Sequence, residues 1–240
     1  MTTASNPAAS SPAESILIVD AGHGVGPALA ALLAGRGFDV VAWSPSGEAQ
    51  PEAAGSVRWL HEPTADTLDA DLLGPVRAAV FNASPLDEAA LLAGGGLADA
   101  VAADGAFFMQ ALQAVSRAMI EKGRGQIWAL APDDSFAYYL PLPVAPVAHH
   151  MRVGAVRALA KELSRFGVFA NAAILQPGPE TAEPAAWQAA RAGVGSYAQK
   201  FRPVPLAAVA DTLAFWLGCG TLPLNGSVVH FGNGVYDGNF

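Results

Sequence analysis

The chain has 240 residues, 52% of them hydrophobic and only 14% charged, which is enough apolar material to bury one large core. Thirteen Lys and Arg against 21 Asp and Glu leave a net charge of -8, disfavouring nucleic acid or an anionic membrane as partner, since both need clustered basic side chains. No apolar run approaches the ~18–20 residues needed to span a bilayer, and a single cysteine, Cys219, excludes an internal disulfide, so a cytoplasmic location is expected.

The first 14 residues are small, polar and proline-containing, with no basic start and no apolar stretch. They read as a disordered lead-in rather than a secretory signal. Residues 15–240 read as one domain. Ser15–Asp20 is a short apolar run that passes through glycines into a helical pattern, the signature of a buried parallel strand entering a helix. Pro27 suits the first turn of that helix, which ends near Gly35 and Gly37. Phe38–Trp43 is the second strand, Ser56–Leu60 a weaker third, and Val76–Phe81 a fourth after a short helix around Asp66–Leu73. A long helix from about Ala98 to Lys122 is stopped by Gly123 and Gly125, and Gln126–Leu130 is the fifth strand. Tyr138–Val147 carries three prolines and reads as loop. A helix from about Ala148 to Phe166 leads to a sixth strand, Val168–Leu175. Gln176–Ser196 reads as a polar excursion, Pro205–Leu217 as a helix and Gly226–Phe231 as the last strand. This alternation predicts an α/β fold: a single-domain, Rossmann-type, doubly wound parallel sheet in three layers.

The glycines after the first strand have a physical reading of their own. Gly24 and Gly26 let the backbone approach a ligand and let the helix pack on the strand. The helix N-terminus then offers free N–H groups and a partial positive charge to a pyrophosphate. Asp20, just before them, places a carboxylate where it would oppose those phosphates.

Four segments in order resemble the short-chain dehydrogenase/reductase family, over nearly the whole chain from Ser15 to Tyr236. Ile18-Val-Asp-Ala-Gly-His-Gly-Val-Gly26 is similar to the family's first turn, with Asp20 in place of its first glycine, and Phe81-Asn-Ala-Ser84 to the segment after its fourth strand. Arg157–Leu163, Gly167–Ala172 and Pro177-Gly178 follow in family order, and Asn225–Gly234 resembles the closing segment. The resemblance implies NAD or NADP as cofactor and no metal. It implies cofactor contacts from Gly22, His23, Gly24, Val25, Gly26, Ser44, Asn82, Ala83, Ser84, Pro177 and Gly178. Ser44 stands where NAD-preferring members carry Asp, so the choice between NAD and NADP stays open. Glu62 falls near an adenine-facing acid of the family, or is a solvated loop acid.

The family's chemistry uses Ser, Tyr and Lys, with Asn on the preceding long helix. Carried over by position, Pro132 stands for the Ser, Ala145 for the Tyr, His149 for the Lys, and Ala102 or Asp104 for the Asn. Substitutes are His149, able to do acid–base work near neutral pH, and Tyr139, in the loop before its helix. Asp133 and Asp134, after the fifth strand, either line the ligand edge of the sheet or cap a turn. Three functions are open: an NAD(P)(H)-linked oxidoreductase of a small carbonyl or alcohol with a non-standard proton donor; a non-redox enzyme of proton transfer, elimination or cyclisation using His149; or a catalytically inactive ligand-binding or partner subunit. The resemblance also implies a homodimer or homotetramer through the two long helices, and Gln176–Ser196 as a substrate lid.

Overall fold

The strands are apolar on both faces because both faces are covered. In a computed structural model, which describes residues 14–44, 57–61, 68–134, 140, 142–194, 203–219 and 222–232, seven strands form one sheet. They are β1 (Ser15–Val19), β2 (Asp39–Trp43), β3 (Val57–Leu60), β4 (Val76–Phe81), β5 (Gly125–Pro132), β6 (Val168–Leu175) and β7 (Val228–Phe231). The spatial order is β3-β2-β1-β4-β5-β6-β7 and every neighbouring pair is parallel. The chain therefore winds outward from β1 to one edge, returns to β4 beside β1, and winds outward to the other edge. In open α/β sheets ligands bind at such a reversal, beyond the carboxyl ends of the strands, which here are those of β1 and β4.

Alternation along each strand sorts the side chains between two cores. Ile16 and Ile18 of β1 join Val40, Val80 and Trp128 against α1 (Gly26–Gly35) and α7 (Leu206–Gly218). Leu17 and Val19 join Val41, Phe81 and Ile127 against α4 (Leu97–Lys122) and α5 (Pro146–Ser164). Helix, sheet and helix make three layers, as the alternation predicts. Among the described residues no helix is long and apolar enough to cross a membrane.

Four local readings are corrected. Helix α3 (Glu88–Gly94), which follows the short α2 (Ala70–Leu73) and β4, is not visible as periodicity; Asp87 starts it by accepting a hydrogen bond from the Ala90 amide. Strand β5 runs on to Pro132, since a proline at the strand end loses no needed ladder bond. Helix α5 begins at Pro146, two residues early, because proline tolerates the first helical position. The excursion after β6 contains helix α6 (Pro184–Val194), whose Trp187 packs on Leu140 and Ala190 in a small third core. Residues 1–13 of the expected lead-in lie outside the described residues. Glu14 is ion-paired with Arg124 at 2.6 Å and Arg77 at 3.5 Å.

Candidate functional site

The turn after β1 is built by two glycines with different tasks. Gly24 has φ +54° and open space where a Cβ would stand, so it is needed for its backbone conformation. A Cβ on Gly26 would lie 2.5 Å from the Ala21 carbonyl oxygen, so it is needed for close packing of helix on turn. Asn82, buried at the end of β4, holds the turn from below: its side-chain amide donates to the carbonyls of Asp20 (3.0 Å) and His23 (2.9 Å). No side chain caps α1 at Val25; the Gly26 amide donates to the His23 carbonyl at 3.0 Å and Pro27 has no N–H, so of the first three helical positions only Ala28 keeps an amide for a ligand.

Asp20 is the single non-glycine described residue with positive φ, +60°. This backbone conformation suits glycine, and Asp is among the few others that tolerate it. Its carboxylate turns in on its own loop, with Oδ2 3.0 Å from His23 Nε2, a charge contact rather than a well-aligned hydrogen bond. His23 is thus folded onto Asp20 instead of standing free for a ribose phosphate. Ser44 is fully buried, and its amide donates to the Leu60 carbonyl. Val25 and Ala83 are half-buried, while Pro177 and Gly178 are buried beyond β6 at the same edge of the sheet.

Below the crevice lies a connected polar network that the sequence only partly reveals. Arg152 of α5 is 2% exposed; its Nη2 meets Asp104 Oδ1 at 2.6 Å, and its Nη1 donates to the Asn82 carbonyl at 2.6 Å. The Phe108 ring lies under the guanidinium, 5.1 Å from its centroid. Asp104 Oδ1 also accepts from the Ser84 hydroxyl at 3.1 Å. Asp104 is thus turned into this network, whereas Ala102 is exposed. The Ser84 backbone N–H donates to His149 Nε2 at 3.2 Å. An N–H donor meets only a lone pair, so the proton of the neutral ring sits on Nδ1. That nitrogen is 3.7 Å from Asp134 Oδ1.

His149 is 2% exposed, so it belongs to the floor of the crevice and not to its surface. Ala145 is fully buried at the start of α5, and Pro132 closes β5. Glu88, 5% exposed, reaches across from α3 and accepts from the amides of Val147 (3.0 Å) and Ala148 (2.9 Å). A carboxylate therefore occupies the N-terminus of α5, which Ala145 cannot cap itself. Tyr139 and Glu62 lie outside the described residues.

The opposite, amino-terminal edge of the sheet has two clefts lined by Glu14, Arg77 and Arg124, one of them also by Lys122. Lys122 donates to the carbonyls of Leu73, Gly74 and Val76. Burial, and then Arg124, hold its ammonium below the usual lysine range, with Glu14 opposing. These cations are committed to main-chain carbonyls and to Glu14, and they brace the α4 terminus. Among the described residues no group of three His, Cys, Asp or Glu side chains is placed to hold a metal.

No protein-family model matches the sequence, and no curated protein matches it. Solved structures do match. An acetoin dehydrogenase from Salmonella typhimurium superposes with a TM-score of 0.69 at 22% identity, over 92% of this chain and 96% of that one. The chain has the short-chain dehydrogenase/reductase fold. A short-chain dehydrogenase from Leptospira borgpetersenii with bound NAD+ gives 0.67 at 12% identity, over 92% of both chains. A dehalogenation enzyme gives 0.68 at 20% identity, over 92% of this chain and 98% of that one. At these identities it is the path of the backbone, rather than any set of reacting groups, that is shared.

Proposed function

We propose that the chain binds NAD(P)(H) in the crevice beyond β1 and β4 and acts as an oxidoreductase on a small carbonyl or alcohol, with a proton donor other than the tyrosine usual for this fold. The observation that carries this reading is the turn: Gly24 in its left-handed conformation, Gly26 in backbone contact with Ala21, and Asn82 tying the loop to β4 give the loop a shape that a pyrophosphate can approach closely, with the Ala28 amide as a donor from the helix. Gly22, His23 and Val25 complete that loop. Ser44, Ala83, Ser84, Pro177 and Gly178 stand along the rest of the crevice. The neighbour with bound NAD+ supports the same choice of ligand. Pro132, Ala145 and His149, the residues matched to the family's three positions by count, supply neither hydroxyl, phenol nor ammonium, which favours a donor from elsewhere. The burial of His149 and the engagement of its Nε2 favour this reading over one with His149 as a free acid–base group. They cast it as a positioning residue.

Titration of the full chain with NADH and NADPH, followed by nucleotide fluorescence, is expected to show saturable binding of at least one. Absence of binding at millimolar nucleotide would sink the reading and leave the non-redox and inactive-partner alternatives. A homo-oligomer through α4 and α5 goes with this proposal, since Met109 on α4 and Val147 on α5 are apolar and 46% and 54% exposed. Sedimentation at micromolar protein is expected to give a dimer or tetramer, and a monomer would count against that interface.

A further inference from the structure

We infer that Asp20 holds the dinucleotide affinity of this chain below what the same turn reaches with a neutral residue there, and that His23 is the counter-group that limits the loss. The inference rests on the dinucleotide reading above and concerns the charge of the turn rather than its shape.

The two residues are fixed on the turn by contacts to both their main chain and their side chains. The Asn82 side-chain amide donates to both main-chain carbonyls, at 3.0 Å for Asp20 and 2.9 Å for His23. Their side chains meet each other, with Asp20 Oδ2 3.0 Å from His23 Nε2, and are only 10% and 17% exposed. His23 Nε2 is fully buried and makes no aligned hydrogen bond among the described residues, so the carboxylate is its polar neighbour. The turn therefore carries an acidic group that cannot leave it without breaking the Asn82 contacts.

Nothing in the backbone calls for a carboxylate at this position. Asp20 has φ +60°, a conformation that glycine takes without cost and that no other described non-glycine residue takes. The contact of its carboxylate is with His23, not with a main-chain amide that it would cap. Donors to offset the charge are few. The Gly26 amide is taken by the His23 carbonyl and Pro27 has no N–H, so the start of α1 offers the Ala28 amide. A pyrophosphate seated on residues 20–25 thus meets a depleted helix terminus and a carboxylate belonging to the same short loop. Coulomb repulsion between like charges acts over such distances whichever way the carboxylate is turned, and burial of the pair weakens solvent screening. The imidazole draws the carboxylate to itself and offsets part of that repulsion.

The test is binding of NADH and NADPH to the full chain and to Asp20→Asn, by calorimetry. Asparagine removes the charge, keeps the shape and tolerates positive φ. It is expected to tighten whichever nucleotide the chain binds by about threefold to tenfold. Asp20→Gly, which φ +60° suits, is expected to give the same gain and serves should Asp20→Asn fold poorly; melting temperatures report the folding of each. His23→Ala is expected to weaken binding about twofold to fivefold in the wild-type chain and to change it less than about twofold beside Asp20→Asn, because it acts through Asp20. Unchanged or weaker binding by both folded Asp20 variants, or an equal loss from His23→Ala in both backgrounds, overturns the inference and leaves the dinucleotide reading standing. Failure of the wild-type chain and of both Asp20 variants to bind either nucleotide overturns both.

Discussion

Asp104→Ala is expected to destabilise the fold by about 3–5 kcal/mol, the range for breaking a buried ion pair from one side. Arg152 and Asp104 have side chains 2% and 6% exposed, and the guanidinium keeps only the Asn82 carbonyl and the Phe108 face once the carboxylate is gone. A cation that cannot reach water and has lost its counter-charge either drags in solvent or forces α4 and α5 apart. Either outcome consumes a large share of the ~5–15 kcal/mol that a domain has in total. Ser84 loses its acceptor at the same time, which loosens the segment that holds His149. The double variant Asp104→Leu, Arg152→Leu is expected to recover most of the loss, because apolar replacement of a whole buried pair is often neutral or stabilising. Urea unfolding of the two single variants and the double variant measures the coupling. A cost below about 1 kcal/mol for Asp104→Ala would show that the pair is solvated and the network is not a structural unit.

How much of this was legible in the sequence depends on the range of the signal. The doubly wound parallel sheet follows from local patterns: apolar strands, glycine stops and alternation with helices. The turn at Gly24 and Gly26 was equally readable, because each glycine there answers a local backbone demand. The polar floor was not. Arg152 and Asp104 stand 48 positions apart, on two helices whose periodicity describes only their apolar faces. Nothing in either helix announces that a charged residue points inward. Glu88 capping α5 from 59 and 60 residues away is invisible for the same reason, and it also explains why the proline-rich segment could turn helical at Pro146. Positional counting singled out Pro132, Ala145 and His149 as the residues at the family's three positions. Only the fold shows that His149 is buried, accepts from the Ser84 amide and lies beside Asp134. Asp20 is a mixed case. Its position before the glycines marked it as unfavourable for phosphate, but its pairing with His23 depends on a positive φ that no propensity for Asp would have required.

Gly26→Ala is expected to cost about 1–3 kcal/mol of stability and to abolish measurable dinucleotide binding. The added methyl carbon would sit 2.5 Å from the Ala21 carbonyl oxygen, 2.8 Å from its carbon and 2.9 Å from the Ala21 Cα. All three are backbone atoms, so no side-chain rotation relieves the contact. Relief requires α1 to move away from the end of β1, and that motion is resisted by Leu29, Ala30 and Leu33, which are buried without exposure against Ile16 and Ile18. The same motion carries the α1 amides away from the position that Gly24 and Asn82 define, which is why binding and stability fall together. Gly24→Ala separates the two effects. It has open space around its Cβ and meets only the conformational cost of φ +54°, about 1–2 kcal/mol, so it leaves α1 seated on β1. In a domain of this size each kcal/mol shifts the melting temperature by about 2–4 °C. Melting curves should therefore place both variants several degrees below wild type. Fluorescence titration should find dinucleotide binding lost in Gly26→Ala but only weakened in Gly24→Ala. Equal binding by Gly26→Ala and wild type would mean that the α1 terminus does not hold the ligand, and the crevice would have to bind through the β4–β5 half alone.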